Sequence, residues 1–157
     1  MPIFIQNRQR TVKLQTAQIK KRLQQLLDVV GCPQHELSIV FANDTLMRQL
    51  NRTYRQKDQT TNVLAFPQEP IGLQVPAAPL LGDVVVSLPV AAREAADQGQ
   101  SVEERVLYLL IHGILHLLGY DHEGSEQARR CMEARERDLL RVLQEAAAAS
   151  RQPSHPS

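Results

Sequence analysis

Between Ser101 and Gly119 lies the stretch that most constrains how this chain can fold. Ser101-Val-Glu-Glu104 matches a capping box, in which a serine and the glutamate three residues later satisfy each other's orphan backbone donors. Gly119 can close the helix by turning left-handed. The helix so bounded is apolar over most of its circumference. Val102, Val106, Leu109, Gly113 and Leu117 fall along one side, and Arg105, Tyr108, His112 and His116 along another. A helix apolar nearly all round is buried, so this one is expected at the centre of the domain. Its apolar run, Val106 to Tyr120, falls short of the ~20 residues that cross a bilayer, and no membrane span is expected.

Imidazoles inside such a core need partners, because an unsatisfied buried polar group costs roughly 1–3 kcal/mol. His112 and His116, four residues apart, project from one helix face, and His122 can return to them if the chain leaves the helix at Gly119. The run matches the metzincin pattern His-Glu-x-x-His-x-x-Gly-x-x-His, except that Gly113 replaces the glutamate. Three nitrogen ligands favour zinc and leave a fourth position open, as catalytic sites do. Nickel or another first-row ion suits the same ligands. One Zn2+ on His112, His116 and His122 is therefore the expected cofactor.

Coordination lowers the pKa of bound water to about 7, whereas losing a general base removes about 10²–10⁴-fold, so hydrolysis survives without the glutamate. A peptidase is less well served, because the zincin glutamate also carries a proton to the departing amine. A phosphodiester instead needs its anionic oxygens neutralised, which a metal and an arginine supply. Arg55, with Lys57 beside it, is the candidate.

The rest of the pattern gives an α+β domain spanning residues 1–149, a small mixed sheet of about four strands with about five helices. Strands are expected at Ile3–Ile5, Glu36–Ala42, Thr61–Phe66 and Leu81–Ser87. A first helix capped by Thr16 carries the stripe Ile19, Leu23, Leu26, Leu27 and Val30 up to Gly31; a second, capped by Asn43 or Asp44, carries Leu46, Met47 and Leu50. Arg55 and Lys57 follow in a polar connection, and Pro70, Pro76 and Pro79 mark a surface loop. Further helices are expected at Pro89–Gln98 and Ser125–Ala149, the latter with Ala128, Met132, Leu139, Val142, Leu143 and Ala146 as its core side. Residues 150–157 read as a disordered tail that includes His155.

A net charge of +1 conceals two unlike halves: residues 1–57 carry ten Lys/Arg against three Asp/Glu, and residues 58–157 carry eight against fourteen. A basic half suits a polyanion, since neutralised phosphates release counterions, although solvated basic helix faces give the same composition. Cys32 and Cys131 form no Cys-x-x-Cys pair and read as reduced cysteines without a role. Met-Pro-Ile-Phe-Ile-Gln at the N-terminus lacks the secretory pattern, so a cytoplasmic location is expected.

The run His-Gly-x-Leu-His-Leu-x-Gly-Tyr-Asp-His at 112–122 resembles the signature of the YbeY family of metal-dependent endoribonucleases. Leu50-Asn-Arg-Thr-Tyr-Arg-Gln-Lys-Asp-Gln-Thr-Thr-Asn-Val-Leu-Ala-Phe-Pro67 resembles the family segment that places an arginine before a Thr-Asp-Val-Leu-Ser-Phe-Pro strand, and Leu81-Gly-Asp83 its Leu-Gly-Asp element. The resemblance implies zinc on His112, His116 and His122, and Arg55 on the RNA backbone in a positively charged cleft. It implies cleavage of single-stranded RNA in maturation of the small-subunit rRNA 3′ end and in ribosome quality control. It further implies partners among small-subunit ribosomal components and an assembly GTPase.

Asn62 and Ala65 depart from the family's Asp and Ser. Asp83 and Asp121 are candidate catalytic carboxylates: Asp121 could support a ligand histidine or position water, or stabilise the turn, while Asp83 could simply begin a strand. Two other classes compete, a zinc peptidase or other metal-dependent hydrolase, and a non-catalytic ribosome-assembly factor with a structural metal.

Overall fold

A computed structural model of the chain describes residues 3–67, 80–121 and 124–151. The expected Pro-rich loop and the end of the expected tail, residues 152–157, lie outside the described residues. In chain order the elements are β1 (Ile3–Arg8), α1 (Thr16–Val29), β2 (Glu36–Ala42), α2 (Asp44–Arg55), β3 (Val63–Pro67), β4 (Leu80–Ser87), α3 (Leu88–Gln98), α4 (Val102–Leu117) and α5 (Glu126–Arg151). The sheet runs β1-β2-β4-β3. β2 lies parallel to both β1 and β4, and β3 closes one edge antiparallel to β4. The α+β class and the mixed four-stranded sheet thus match the sequence pattern.

Successive strand residues point to opposite faces, and the two faces bury different helices. Leu37, Ile39 and Phe41 of β2, with Val84 and Val86 of β4, enter the main core beside α1, α4 and α5. Val40, Ala42, Leu64, Val85 and Phe66 form a smaller cluster with Leu46, Met47 and Leu50 of α2. On α4, Val106, Leu109, Leu110, Ile111, Ile114 and Leu115 are buried, each contributing about 1.5–3 kcal/mol relative to exposure. This helix packs against α3, α5, β3 and β4, which makes it the central helix. Among the described residues no helix is long and apolar enough to cross a membrane.

Local signals place most of the boundaries. Asn43 Oδ1 accepts from the Leu46 N–H at 2.8 Å, and the Ser101–Glu104 capping box forms in both directions. Thr16 departs from expectation: it is the first helical residue, Gln15 holds the cap position, and no side chain caps the helix. Arg55 is also displaced from the expected connection, because α2 continues through it and ends on Gln56 in the left-handed region, φ 57°. β1 extends to Arg8, β3 begins at Val63, and α5 continues to Arg151. Hydrogen bonding across the sheet and along the helix sets these limits, and apolar periodicity marks only the buried part of each element.

Candidate active site

α4 ends as the sequence requires. Gly119, at φ 100°, donates to the His116 carbonyl at 3.0 Å, and the Tyr120 N–H reaches the Leu115 carbonyl at 3.0 Å. This paired closure satisfies the last carbonyls and turns the chain back. Upstream on the same side, the His112 and His116 rings stand 5.0 Å apart between centroids and are inclined at 69°. His122 lies outside the described residues, and among those described no three His, Cys, Asp or Glu side chains converge on a metal position. His112 and His116 are therefore the two described members of the expected ligand set.

Glu136 of α5, a residue not singled out in the sequence, fixes the orientation of His112. Its Oε1 lies 2.8 Å from His112 Nδ1, and the residue is only 4% exposed. A carboxylate accepts, so Nδ1 is the donor in this pair, and Nε2 is the ring nitrogen left for a metal. Metal-ligating histidines characteristically use this arrangement, which fixes tautomer and ring orientation. The signal was present: Glu136 follows Met132 by four residues and precedes Leu139 by three, a charge on the buried stripe of α5. Tyr108 lies beside the pair, with the Arg105 guanidinium 4.6 Å over its ring. Burial first, and then the Glu136 carboxylate, push the Tyr108 phenol above its ordinary range, while Arg105 acts the other way.

Gly113, where the metzincin pattern has glutamate, is a contact point between helix and sheet. A Cβ there would sit 2.7 Å from Val84 Cγ1 and 3.4 Å from Val63 Cγ2. A side chain there requires Val84 or α4 to shift. At Gly82, φ 142°, a Cβ would collide with the Phe66 carbonyl oxygen. It follows a register shift at which Leu81 is passed over and Gly82 pairs with Leu37.

Arg55 and Lys57 reach the site from the end of α2. Gln56 turns the chain, and buried Asn51 donates through Nδ2 to the Gln59 carbonyl at 2.9 Å. Arg48 grips Asp58 through Nε at 2.9 Å and Nη2 at 3.2 Å, which holds the Asp58 carboxyl below its ordinary range. The segment between them is therefore anchored on both flanks. Both Arg55 and Lys57 are exposed, and no carboxylate among the described residues pairs with either.

A cavity of about 660 Å³ joins these parts. It is lined by Tyr54, Arg55 and Lys57, by the consecutive residues 61–66, and by His112, Gly113 and His116. Consecutive strand residues can all line one wall only along a strand's edge, so the cavity follows the outer edge of β3. Asn62, at one end, donates to Glu94 at 3.2 Å, and Arg105 Nε approaches the same carboxylate at 3.0 Å. An aspartate at position 62 would face Glu94 with like charge, which gives this chain a reason for its amide.

Neither Asp83 nor Asp121 lines this cavity. Asp83 pairs with Ser38 and Phe66 in the sheet, on the face that α2 covers, opposite α4. Asp121 is exposed beyond the α4 turn, with its carboxylate over Gly124, where a Cβ would lie 3.0 Å from Oδ2.

A family model described as Endoribonuclease YbeY matches residues 4–144. A protein of that name from Geobacter metallireducens is 43% identical over 148 residues, covering 92% of this chain and 97% of the relative. Its counterpart from Halorhodospira halophila is 52% identical over 109 residues, covering 69% and 70%. A solution structure of a Thermotoga maritima protein superposes with a TM-score of 0.66 over 99% of this chain and 98% of that one, at 22% identity, a likeness of fold. With its motifs and sheet order accounted for, the chain belongs to the YbeY endoribonuclease family.

Proposed function

We propose that the chain is a zinc-dependent endoribonuclease specific for single-stranded RNA. It acts in the cytoplasm on the small-subunit rRNA 3′ end and in ribosome quality control, with small-subunit components and an assembly GTPase as partners. The observation that carries this reading is the shared cavity, where two imidazoles on α4 face the same space as Arg55 and Lys57. Family membership supplies the reaction class.

The residues present fit zinc, because Glu136 holds the Nδ1 hydrogen of His112 and leaves Nε2 as the coordinating nitrogen. His112, His116 and His122 would hold the ion. When bound, zinc supplies Lewis-acid polarisation and a water acidic enough to ionise near neutral pH. Arg55 neutralises phosphate oxygens through paired N–H donors, and Lys57 adds a point charge beside it. Gly113 lacks the carboxylate of a zincin peptidase, and the Cβ of a glutamate in its place would collide with Val84.

Purified protein with zinc is incubated with single-stranded rRNA fragments and with duplexes, alongside His116→Ala, while bound metal is measured. Wild type should cut single strands, and His116→Ala should lose both metal and cleavage. Equal behaviour of the two proteins overturns the proposal. RNA binding without cleavage would instead favour an assembly factor, and peptide turnover without RNA cleavage a peptidase.

A further inference from the structure

Phe4, Val29 and Tyr54 are the large hydrophobic side chains most exposed among the described residues, and of these only Tyr54 lines the cavity. Tyr54 is 62% exposed, and its ring packs on that of Phe66, 5.1 Å away between centroids and inclined at 57°. Phe66 also lines the cavity, which continues along the β3 edge to His112 and His116. Tyr54 occupies the last turn of α2, directly before Arg55. An exposed aromatic side chain and an exposed guanidinium thus line the same cavity.

We infer that Tyr54, braced by Phe66, is the stacking platform for one unpaired base of an RNA strand whose phosphate lies against Arg55. This rests on the endoribonuclease reading and specifies how that site selects single strands. Every base offers a π-face, so stacking is indifferent to sequence, but within a duplex both faces are covered by neighbouring pairs. A nucleotide carries its base and phosphate on one sugar, and consecutive residues at this helix end present a surface for each. The two cations favour a polyanion over an apolar peptide as the occupant.

The test measures binding and cleavage of a single-stranded oligoribonucleotide, and of a series in which one position at a time is abasic, by wild type, Tyr54→Ala and Tyr54→Phe. Loss of one stacked base should weaken binding roughly 5- to 150-fold, appearing mainly in KM. Tyr54→Ala should show that loss on intact RNA and then be indifferent to the abasic position that wild type penalises. Tyr54→Phe should stay within about twofold of wild type. If wild type binds and cleaves RNA but Tyr54→Ala matches it, or if no abasic position matters, the platform is refuted and the ribonuclease reading stands. If wild type neither binds nor cleaves any RNA, both fail. A partner peptide that binds in a Tyr54-dependent way while RNA binding is Tyr54-independent also overturns the inference.

Discussion

Gly113→Ala tests the architecture of the site without assuming its chemistry. In the interior of an ordinary helix this replacement stabilises by about 0.8–1 kcal/mol, because glycine loses the most backbone freedom on folding. Here the added methyl would lie 2.7 Å from Val84 Cγ1, with Val63 Cγ2 at 3.4 Å behind it. Val84 is fully buried in a strand bonded on both sides, and its β-branched side chain has little freedom to move aside. Overpacking of this kind costs about 1–3 kcal/mol, so the clash outweighs the propensity gain and the variant should lose up to about 2 kcal/mol. For a domain of this size each kcal/mol corresponds to roughly 2–4 °C in Tm. Urea unfolding of wild type, Gly113→Ala, Val84→Ala and the double variant forms a cycle in which the two changes should compensate, with a coupling of at least about 0.5 kcal/mol. Stabilisation of Gly113→Ala by about 1 kcal/mol, or simple additivity, would refute the close approach of α4 to β4. By the same geometry, Gly113→Glu should damage the fold without creating a peptidase.

Removing the Glu136 carboxylate should weaken zinc binding by about 10–100-fold, measured by competition with a chelating dye, with Glu136→Gln retaining more affinity than Glu136→Ala; equal affinities for all three proteins would make the contact incidental. Arg55→Ala should reduce RNA affinity by roughly 10- to 150-fold while metal content and Tm stay near wild type, and loss of metal in that variant would make Arg55 structural. Replacing Gln56 by glycine at φ 57° should stabilise by up to about 1 kcal/mol in urea unfolding, because only glycine enters this region without steric cost; a loss of stability would show that the Gln56 side chain contributes what its backbone forfeits. For Asp58, whose carboxyl Arg48 holds below its ordinary value of about 3.9, stabilisation is present above that value and lost as pH falls through the folded value. NMR titration should show the Asp58 carboxyl moving back up in Arg48→Gln, and an unchanged titration would mean the bidentate contact does not persist in solution.

Some features were readable from the chain alone because their causes are local. The Ser101–Glu104 box, the Asn43 cap and the left-handed closure at Gly119 each depend on a few neighbouring residues, and all three form. The apolar circumference of α4 required burial wherever the helix was placed, and the spacing of His112 and His116 set both rings on one side. A mixed sheet with helices likewise followed from periods of two and 3.6.

Tertiary structure decided the rest, because those contacts join residues distant in sequence. Glu136 reaches His112 across twenty-four positions, and only the packing of α5 on α4 brings them to 2.8 Å. Asn62 and Arg105 meet at Glu94 only once β3, α3 and α4 assemble. Asp83, adjacent in sequence to the sheet contacts of α4, falls on the opposite face because strand side chains alternate. Gly113 illustrates the division most clearly. Its identity alone marked a missing glutamate, but the Val84 side chain, packed where a Cβ would stand, shows that the residue's smallness is used by the contact between α4 and β4.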